Sequence, residues 1–188
     1  MFAPPNWFEG LLIQFGIFIL IPLIIAIIVG LIVKKKKNSK IWGVAGIGLA
    51  LIISLIIMLP VGNICWHYAY EVPSVQEKVI TVQEWQPKAG IKYSNSGTMI
   101  IENADQLMLI TNEGEGFINE ENLLFNKFNT RDIFNDLKIN GTYKIKYYGW
   151  RNGFNTGFPN ILSVEKVINE TNTTNNRYGD YFGIKIAN

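Results

Sequence analysis

Two uncharged apolar runs, separated by a short basic segment, restrict what this chain can fold into. The first run covers residues 11–33 and the second residues 41–61, and neither contains Asp, Glu, Lys or Arg. A helix rises about 1.5 Å per residue, so each run is long enough to cross a hydrocarbon core of roughly 30 Å. The sequence therefore predicts a transmembrane helical hairpin with two spans.

The segment 34–40 between the two runs sets the expected orientation. Basic residues in short loops stay on the cytoplasmic side of a membrane. Lysine runs are also typical of solvated or nucleic-acid-binding patches, but the apolar flanks favour the topogenic interpretation. We therefore expect a multi-pass protein of the plasma membrane, with a cytoplasmic loop at 34–40, an outer tail at 1–10 and both termini extracytoplasmic. The lysines concerned are Lys34, Lys35, Lys36, Lys37 and Lys40.

Small residues recur at helical spacing in both predicted spans and indicate close packing. Stripes of this kind let two helix backbones approach each other. They fit packing of the two spans on each other, and they also fit a larger bundle or an oligomer. Besides the lipid bilayer, we therefore expect another membrane protein or a second copy of the chain as a partner. The small residues are Ala26, Gly30, Gly46, Ala50 and Ser54.

Charge and cysteine content exclude several classes of function for the part after the hairpin. Five of the 17 Lys and Arg lie in the basic loop and one of the 15 Asp and Glu precedes it, which leaves 12 and 14 and a net charge of −2. This balance argues against nucleic acid as a partner. The single Cys65 permits no internal disulfide, and together with the single His67 it cannot supply the four ligands of a structural zinc site. We expect neither a metal nor a cofactor.

After residue 74 the hydrophobic period changes from helical to alternating, which is typical of strands. A Gly-rich polar loop at 112–119 and a short helix at 131–137 interrupt the alternation, and 123–128 is a further strand candidate. The second and third strands are expected to form a hairpin. The predicted strands are 75–85, 98–102, 106–111, 142–150 and 160–167.

The predicted fold class is a membrane α-helical hairpin followed by a mainly-β soluble domain. A juxtamembrane linker at 62–74 leads to a β domain at 75–168, and a polar tail follows at 169–188. About five strands with one short helix fit a small OB-like five-stranded barrel. A curled sheet or a sandwich is the rival arrangement for a domain of this size.

The run 128–167 resembles an uncharacterised family of small membrane proteins from bacteria, archaea and phages. Members carry one or two N-terminal spans and a compact β domain, so the resemblance implies the same architecture here. It implies no catalytic residue, because the family has no established activity. The residues that carry the resemblance are Asp132, Gly141, Tyr143, Gly149, Trp150, Arg151, Pro159, Asn160 and Ile161.

The loop after the fourth main strand holds the candidate ligand face. Trp150, Arg151, Phe154 and Phe158 are the residue types that line the grooves of OB folds. A structural interpretation also fits, because Gly149 allows a strand to bend, the neighbouring Trp buries apolar area and the Arg ties down loop carbonyls or an acidic partner.

Two further groups of polar residues are candidates for surface chemistry. Glu113, Glu115, Glu120 and Glu121 form an acidic loop, but their spacing does not match a calcium-binding loop, which favours a solvated loop. Three N-x-[ST] sequons lie on the expected outer side, and they allow the protein to be a glycoprotein if the host uses them. The sequon residues are Asn140, Asn169 and Asn172.

Three hypotheses of function follow. The first is a non-catalytic, membrane-tethered extracytoplasmic module that serves as a binding or accessory subunit of an envelope assembly. The second is an envelope-directed hydrolase that uses carboxylates of the outer domain, since such pairs meet in space and leave no sequence pattern. The third is an oligomeric channel, which the scarcity of polar residues in the spans disfavours.

Overall fold

A computed structural model describes residues 2–87, 92–93, 99–100, 107–151, 157–173 and 175, and for 92–93 and 99–100 it describes the backbone only. The chain divides into two compact units. The first holds the two long apolar helices that the sequence predicts. The second begins at Ser74 and holds the β domain.

Two helices, Trp7–Lys37 and Lys40–Ser74, are each long and apolar enough to cross a membrane. Most of their large apolar side chains are exposed, unlike those of a core helix in a soluble protein. The segments in order are α1 (Trp7–Phe15), a π-helical turn (Gly16–Leu20), α2 (Ile21–Lys37), α3 (Lys40–Trp66), a second π-helical turn (His67–Glu71) and a 3-10 turn (Val72–Ser74).

The helix ends differ from the predicted boundaries for identifiable reasons. Asn6 caps α1 in a reciprocal capping box with Glu9, so the helix begins before residue 11. The turn between the long helices is only two residues, because Asn38 takes a left-handed φ of 46° directly after Lys37. The lysines at 34–37 therefore form the last turn of α2, where the helix dipole favours positive charge.

The predicted linker at 62–74 is helical in the structure. Pro60 lies inside α3, and helical backbone continues through the second π-helical turn as far as Glu71. The first helix also contains a π-helical turn, which ends two residues before Pro22, a residue with no N–H to donate.

The small residues of the two spans lie where α2 meets α3. A Cβ at Gly30 would overlap the side chain of Ile47, and one at Gly46 would lie 3.2 Å from Val33 Cβ. Ala26 is fully buried, and Ala50 is half-buried. Buried Ser54 donates its hydroxyl to the carbonyls of Leu51 and Pro22, at 3.0 and 3.3 Å. Two further glycines, Gly43 and Gly62, are buried in α3.

The β domain contains a five-stranded mixed sheet. β1 pairs with β4 and β6, β4 with β5, and β6 with β7, all antiparallel, while one parallel pair joins β5 to β7. Each strand thus has two neighbours, and the order β1-β4-β5-β7-β6 returns to β1. β2 and β3 form a separate antiparallel pair. The strands are β1 (Gln76–Pro87), β2 (Lys92–Tyr93), β3 (Met99–Ile100), β4 (Leu107–Thr111), β5 (Gly116–Ile118), β6 (Thr142–Tyr148) and β7 (Asn160–Asn169).

Two strand predictions and one loop prediction are wrong. The candidate at 123–128 is a tight turn closed by paired backbone hydrogen bonds between Asn122 and Lys127. The predicted polar loop at 112–119 contains β5, whose Phe117 and Ile118 are buried. The expected hairpin between 98–102 and 106–111 does not form in the described residues, because β3 pairs with β2 while β4 pairs with β1 and β5.

The predicted short helix is confirmed as α4 (Thr130–Asp136). Ile133 and Phe134 of α4, and Leu137 after it, are buried in the core of the sheet. The Trp85 ring of β1 packs at a tilt against the Phe134 ring, with centroids 5.2 Å apart, and its indole N–H donates to the Leu137 carbonyl at 3.1 Å.

The start of the predicted polar tail is tied to the end of α4. Asn175 donates its side-chain amide to the carbonyls of Phe134 and Leu137, at 2.7 and 3.1 Å. Thr171 donates its hydroxyl to the Ile139 carbonyl at 3.0 Å. The two contacts of Asn175 satisfy carbonyl groups that a helix end leaves without intrahelical partners. The interpretation of residues from Arg177 onward as a docking strand lies outside the described residues.

Candidate functional site

A cleft of about 440 Å³ opens beside the end of β6, where the sequence analysis placed a ligand face. Gly149 ends β6 with a φ of 82°, in the region that favours glycine, and its N–H donates to the Ser74 hydroxyl at 2.7 Å. This bend turns Trp150 and Arg151 toward the cleft, which β1 and the β4–β5 turn also line. The aromatic and charged residues of the lining are Lys78, Glu115, Phe117, Tyr147, Trp150, Arg151 and Phe158.

Aromatic rings and one guanidinium give the cleft its chemical character. The Arg151 guanidinium carbon lies 3.8 Å from the centroid of the Phe158 ring, and Arg151 also donates to the Gly157 carbonyl at 3.3 Å. Phe117 and Tyr147 meet edge to face at 5.2 Å. Such surfaces stack planar or ring-shaped groups and orient anionic ones. Phe154, the fourth predicted residue of this face, lies outside the described residues.

An ion-pair group forms one wall of the cleft. The Lys78 ammonium lies 2.6 Å from a Glu115 carboxylate oxygen and 3.3 Å from one of Glu113. The hydrogen bond to Glu115 raises the pKa of Lys78 above its usual value. Two of the four acidic residues of the predicted loop, Glu113 and Glu115, therefore hold a lysine here. Among the described residues, no three His, Cys, Asp or Glu side chains come together as a metal site.

None of the remaining candidate residues belongs to the lining of the cleft. His67 is buried within the first unit, and its Nδ1 lies 2.9 Å from a Glu71 carboxylate oxygen, whereas Cys65 is exposed. The three sequon asparagines are all exposed: Asn140, Asn169 and Asn172.

A second cluster, which the sequence analysis missed, is a buried polar network around Lys127. The Lys127 side chain is only 4% exposed, and its Nζ donates to the Oδ1 atoms of Asn119 and Asn160, both at 2.9 Å. Asn160 donates to the Tyr148 hydroxyl at 3.1 Å, and Asn122 donates to the same hydroxyl at 2.7 Å. We call these five residues the lysine network.

Burial changes the protonation of the lysine network. Loss of hydration lowers the pKa of Lys127 to about 7, although the negative charges of Glu120 and Glu121 act in the opposite direction. A neutral amine still has two N–H groups and can donate to both amide oxygens. The arrangement is therefore suited to hold a loop on the sheet, since every polar partner is engaged.

Sequence patterns gave little sign of the lysine network. Lys127 lies in a run of apolar residues that was interpreted as a strand, and Asn119 closes a stretch that looks like a solvated loop. Only Asn160 carried a signal, because it belongs to the Pro-Asn-Ile pattern of the family resemblance. Polar side chains that meet from distant positions leave no periodic trace.

Comparison with known proteins gives one match. Residues 84–182 match a family described as proteins of unknown function, DUF1523. The matched range includes the Trp150 side of the cleft and the whole lysine network. Neither the curated proteins nor the solved structures gave a match. Because the matched range covers more than half of the 188 residues, the chain belongs to the DUF1523 family.

Proposed function

We propose that the chain is a membrane-tethered, extracytoplasmic binding module that serves as an accessory subunit of an envelope assembly and performs no chemistry itself. The observation that carries this proposal is the cleft, in which Trp150, Phe158 and Arg151 surround an open volume beside the sheet. Its lining suits recognition of a ring-bearing or anionic ligand better than bond cleavage. Glu115, the carboxylate in the cleft, is engaged by the Lys78 ammonium.

We infer that the sheet is an OB-like barrel. The strand order returns to β1, and α4 lies between the third and fourth strands of the sheet, as an OB-type Greek key requires. The cleft involves the connection between the last two strands of the sheet. Connections of this kind carry ligands in many OB folds.

The proposed topology places the β domain outside the cell. Four consecutive lysines end α2, and Lys40 begins α3, so the tight turn between the helices is the most basic point of the chain. Positive charge of this density favours the cytoplasmic side. In intact cells, added protease should cut the chain beyond Pro73. Cutting only in inverted vesicles would contradict the proposed orientation.

Photo-crosslinking in the native host tests the binding role of the cleft. A benzophenone amino acid at position 158 of the full chain should give a discrete adduct with one partner or glycan. The same probe in place of Val167, a half-exposed residue near the far end of β7, is the matched control and should give none. Adding Trp150→Ala should abolish the adduct at 158. Absence of an adduct at 158, or equal adducts at both positions, would contradict the proposed role.

A further inference from the structure

A second cavity, of about 600 Å³, is bounded by the turn that precedes α4 and by residues of β6 and β7. We call it the turn cavity. Its volume is in the range of small-molecule sites, and its lining shares no residue with the cleft beside Trp150. The lining combines two phenyl rings with amide, ammonium and hydroxyl groups. These groups belong to Phe125, Phe128, Asn126, Asn129, Lys146 and Ser163.

Asn129 holds an acceptor that the fold leaves unused. Its Oδ1 atom is buried and has no hydrogen-bond partner among the described residues. Asn129 directly precedes α4, where an asparagine side chain usually accepts a hydrogen bond from the first turn, yet no such bond forms. Buried polar atoms are nearly always paired, so an unpaired one requires an explanation. Because Asn129 lines the turn cavity, a donor group bound there would be its partner.

Two further polar side chains of the lining keep their hydrogen-bonding groups available. Neither the Lys146 ammonium nor the Asn126 side-chain amide makes a hydrogen bond or an ion pair within the part of the chain that the structure describes. Ser163 donates its hydroxyl to Glu165, and its oxygen can still accept. The turn cavity therefore offers both donors and acceptors to a ligand.

The charges around the turn cavity favour an uncharged ligand. Lys146 pairs in register with Glu77 of β1, and Glu165 accepts from Ser163, so negative charge accompanies the free ammonium. Lys127, the second lysine of the lining, is engaged in the lysine network. Phosphate and carboxylate groups are bound best by the planar fork of an arginine, and the described lining contains none.

The two phenylalanines give the turn cavity apolar surfaces that are already in place. The Phe125 ring lies 4.2 Å from the Tyr148 ring, whereas Phe128 is 57% exposed. Asn122 Oδ1 accepts the backbone N–H groups of Leu124 and Phe125, at 2.9 and 3.1 Å, and thereby fixes the turn. A preformed surface lowers the free-energy cost of ordering on binding.

We propose that the turn cavity binds a neutral sugar ring. One hydroxyl of the sugar donates to Asn129 Oδ1, another oxygen accepts from Lys146, and the Phe128 ring covers an apolar face of the sugar. A saccharide carries adjacent donors and acceptors, an apolar ring face and no net charge, so it satisfies all three features of the lining. The inference goes beyond the proposed function, because it concerns residues other than those of the cleft.

Saturation-transfer difference NMR on the full chain in phosphatidylcholine nanodiscs tests the proposal. The probes are the methyl glycosides of glucose, galactose, N-acetylglucosamine and rhamnose at millimolar concentration. The acyclic polyol mannitol and inorganic phosphate are the control compounds. At least one glycoside should receive saturation through one face of its ring, and more strongly than mannitol does. Phosphate should not displace it.

Substitutions assign the binding to the turn cavity. Asn129→Leu should raise the dissociation constant of the bound glycoside about tenfold, because the buried acceptor is lost. Phe128→Ala and Lys146→Met should each raise it several-fold, and since Phe128 is exposed, its truncation should leave folding intact. The matched controls Asn172→Leu and Lys166→Met replace exposed residues outside the lining and should leave the dissociation constant unchanged.

A stability measurement separates ligand binding from a structural role of Asn129. Its Oδ1 has no partner to lose, so Asn129→Leu should not lower the denaturant midpoint of the full chain in detergent micelles. A lowered midpoint would show that this atom is paired in the folded protein, which removes the basis of the proposal.

Three binding results would overturn the proposal. They are the absence of saturation transfer to every glycoside, equal affinity in all the variants, and displacement of the glycoside by phosphate. The benzophenone adduct at position 158 reports on the cleft independently, so the failure of one site is distinguishable from the failure of the other.

Discussion

The loop at residues 122–128, which we call the apolar loop, precedes helix α4 in the chain, and the buried side chains that fix the two to the sheet differ in kind. α4 is held by apolar burial, with Leu137 fully buried and Phe134 against Trp85. The apolar loop is held by hydrogen bonds of one buried lysine to the amides of Asn119 and Asn160. The same domain thus uses apolar burial for α4 and a buried polar side chain for the neighbouring loop.

The two kinds of contact should respond differently to mutation and to pH. Apolar burial is insensitive to pH, and its loss costs transfer free energy plus the energy of a cavity. A buried polar network depends on protonation, and removal of one member leaves the others without partners. The two regions should therefore separate under mutation and under titration, and the predictions below test that separation.

The largest effect is expected from Leu137→Ala. Leu137 is fully buried beside Trp85, so truncation should lower the free energy of unfolding by about 2–5 kcal/mol. Denaturant unfolding of the full chain in detergent micelles, followed by near-UV circular dichroism, measures the loss. Ile168→Ala removes a half-exposed residue and should cost less than about 0.5 kcal/mol. A loss at position 137 as small as this control would mean that apolar burial does not hold α4.

The second prediction concerns pH. The pKa of Lys127 is about 7 in the folded state, below the value of about 10.4 in an unfolded chain. The unfolded state therefore binds more protons between these values, and the free energy of unfolding rises with pH in that window. The contribution of this lysine should approach about 1.4 kcal/mol per pH unit from pH 7 to 9.

Lys127→Met isolates the titration of this one group. The variant should lose most of the pH slope, while Leu137→Ala should keep the slope of the unmodified protein at a lower free energy of unfolding. The same denaturant unfolding at pH 7, 8 and 9 measures both variants. An unchanged slope in Lys127→Met would show that the lysine is charged or hydrated in the folded state.

Sequence reasoning recovered the parts of the fold that depend on apolar periodicity. The two spans, α4 and the long strands β1, β6 and β7 were all predicted, with boundaries shifted by caps and turns. β5 was missed because glycine and glutamate surround its buried Phe117, so the segment looks like a loop. The 123–128 run shows the opposite error, since its apolar residues suggest a strand while Lys127 is the residue that is buried.

Only part of the candidate site was open to prediction. Trp150, Arg151 and Phe158 stand close together in the sequence and suggested a ligand face. Lys78 and Phe117 reach the same cleft from other strands, and only the pairing of the sheet brings them there. The lysine network has no local sequence pattern, because its members come from separate connections and strands.

The third prediction compares a buried asparagine with an exposed one. Asn119 accepts from Lys127 and donates to the Thr130 carbonyl at 2.8 Å, so it joins the loop to the start of α4. Asn119→Ala should lower the free energy of unfolding by about 1–2 kcal/mol. Asn172→Ala, at an exposed asparagine, should have no measurable effect. A double-mutant cycle with Lys127→Met should show non-additivity, and strict additivity would contradict a coupled network.

The smallest effect is expected at a polar contact that water reaches. Lys78 and Glu115 approach to 2.6 Å, but about a third of the lysine side chain and 43% of the glutamate side chain are exposed. Glu113 also remains close enough to pair with the lysine. Glu115→Gln should therefore cost less than about 1 kcal/mol, and the difference should shrink in 1 M salt, where the Debye length is about 3 Å. The cost of Asn119→Ala should not depend on salt, because the lysine network is buried. If Glu115→Gln lowered the free energy of unfolding as much as Asn119→Ala does, and independently of salt, the two contacts would contribute alike. That result would contradict the idea that burial distinguishes them.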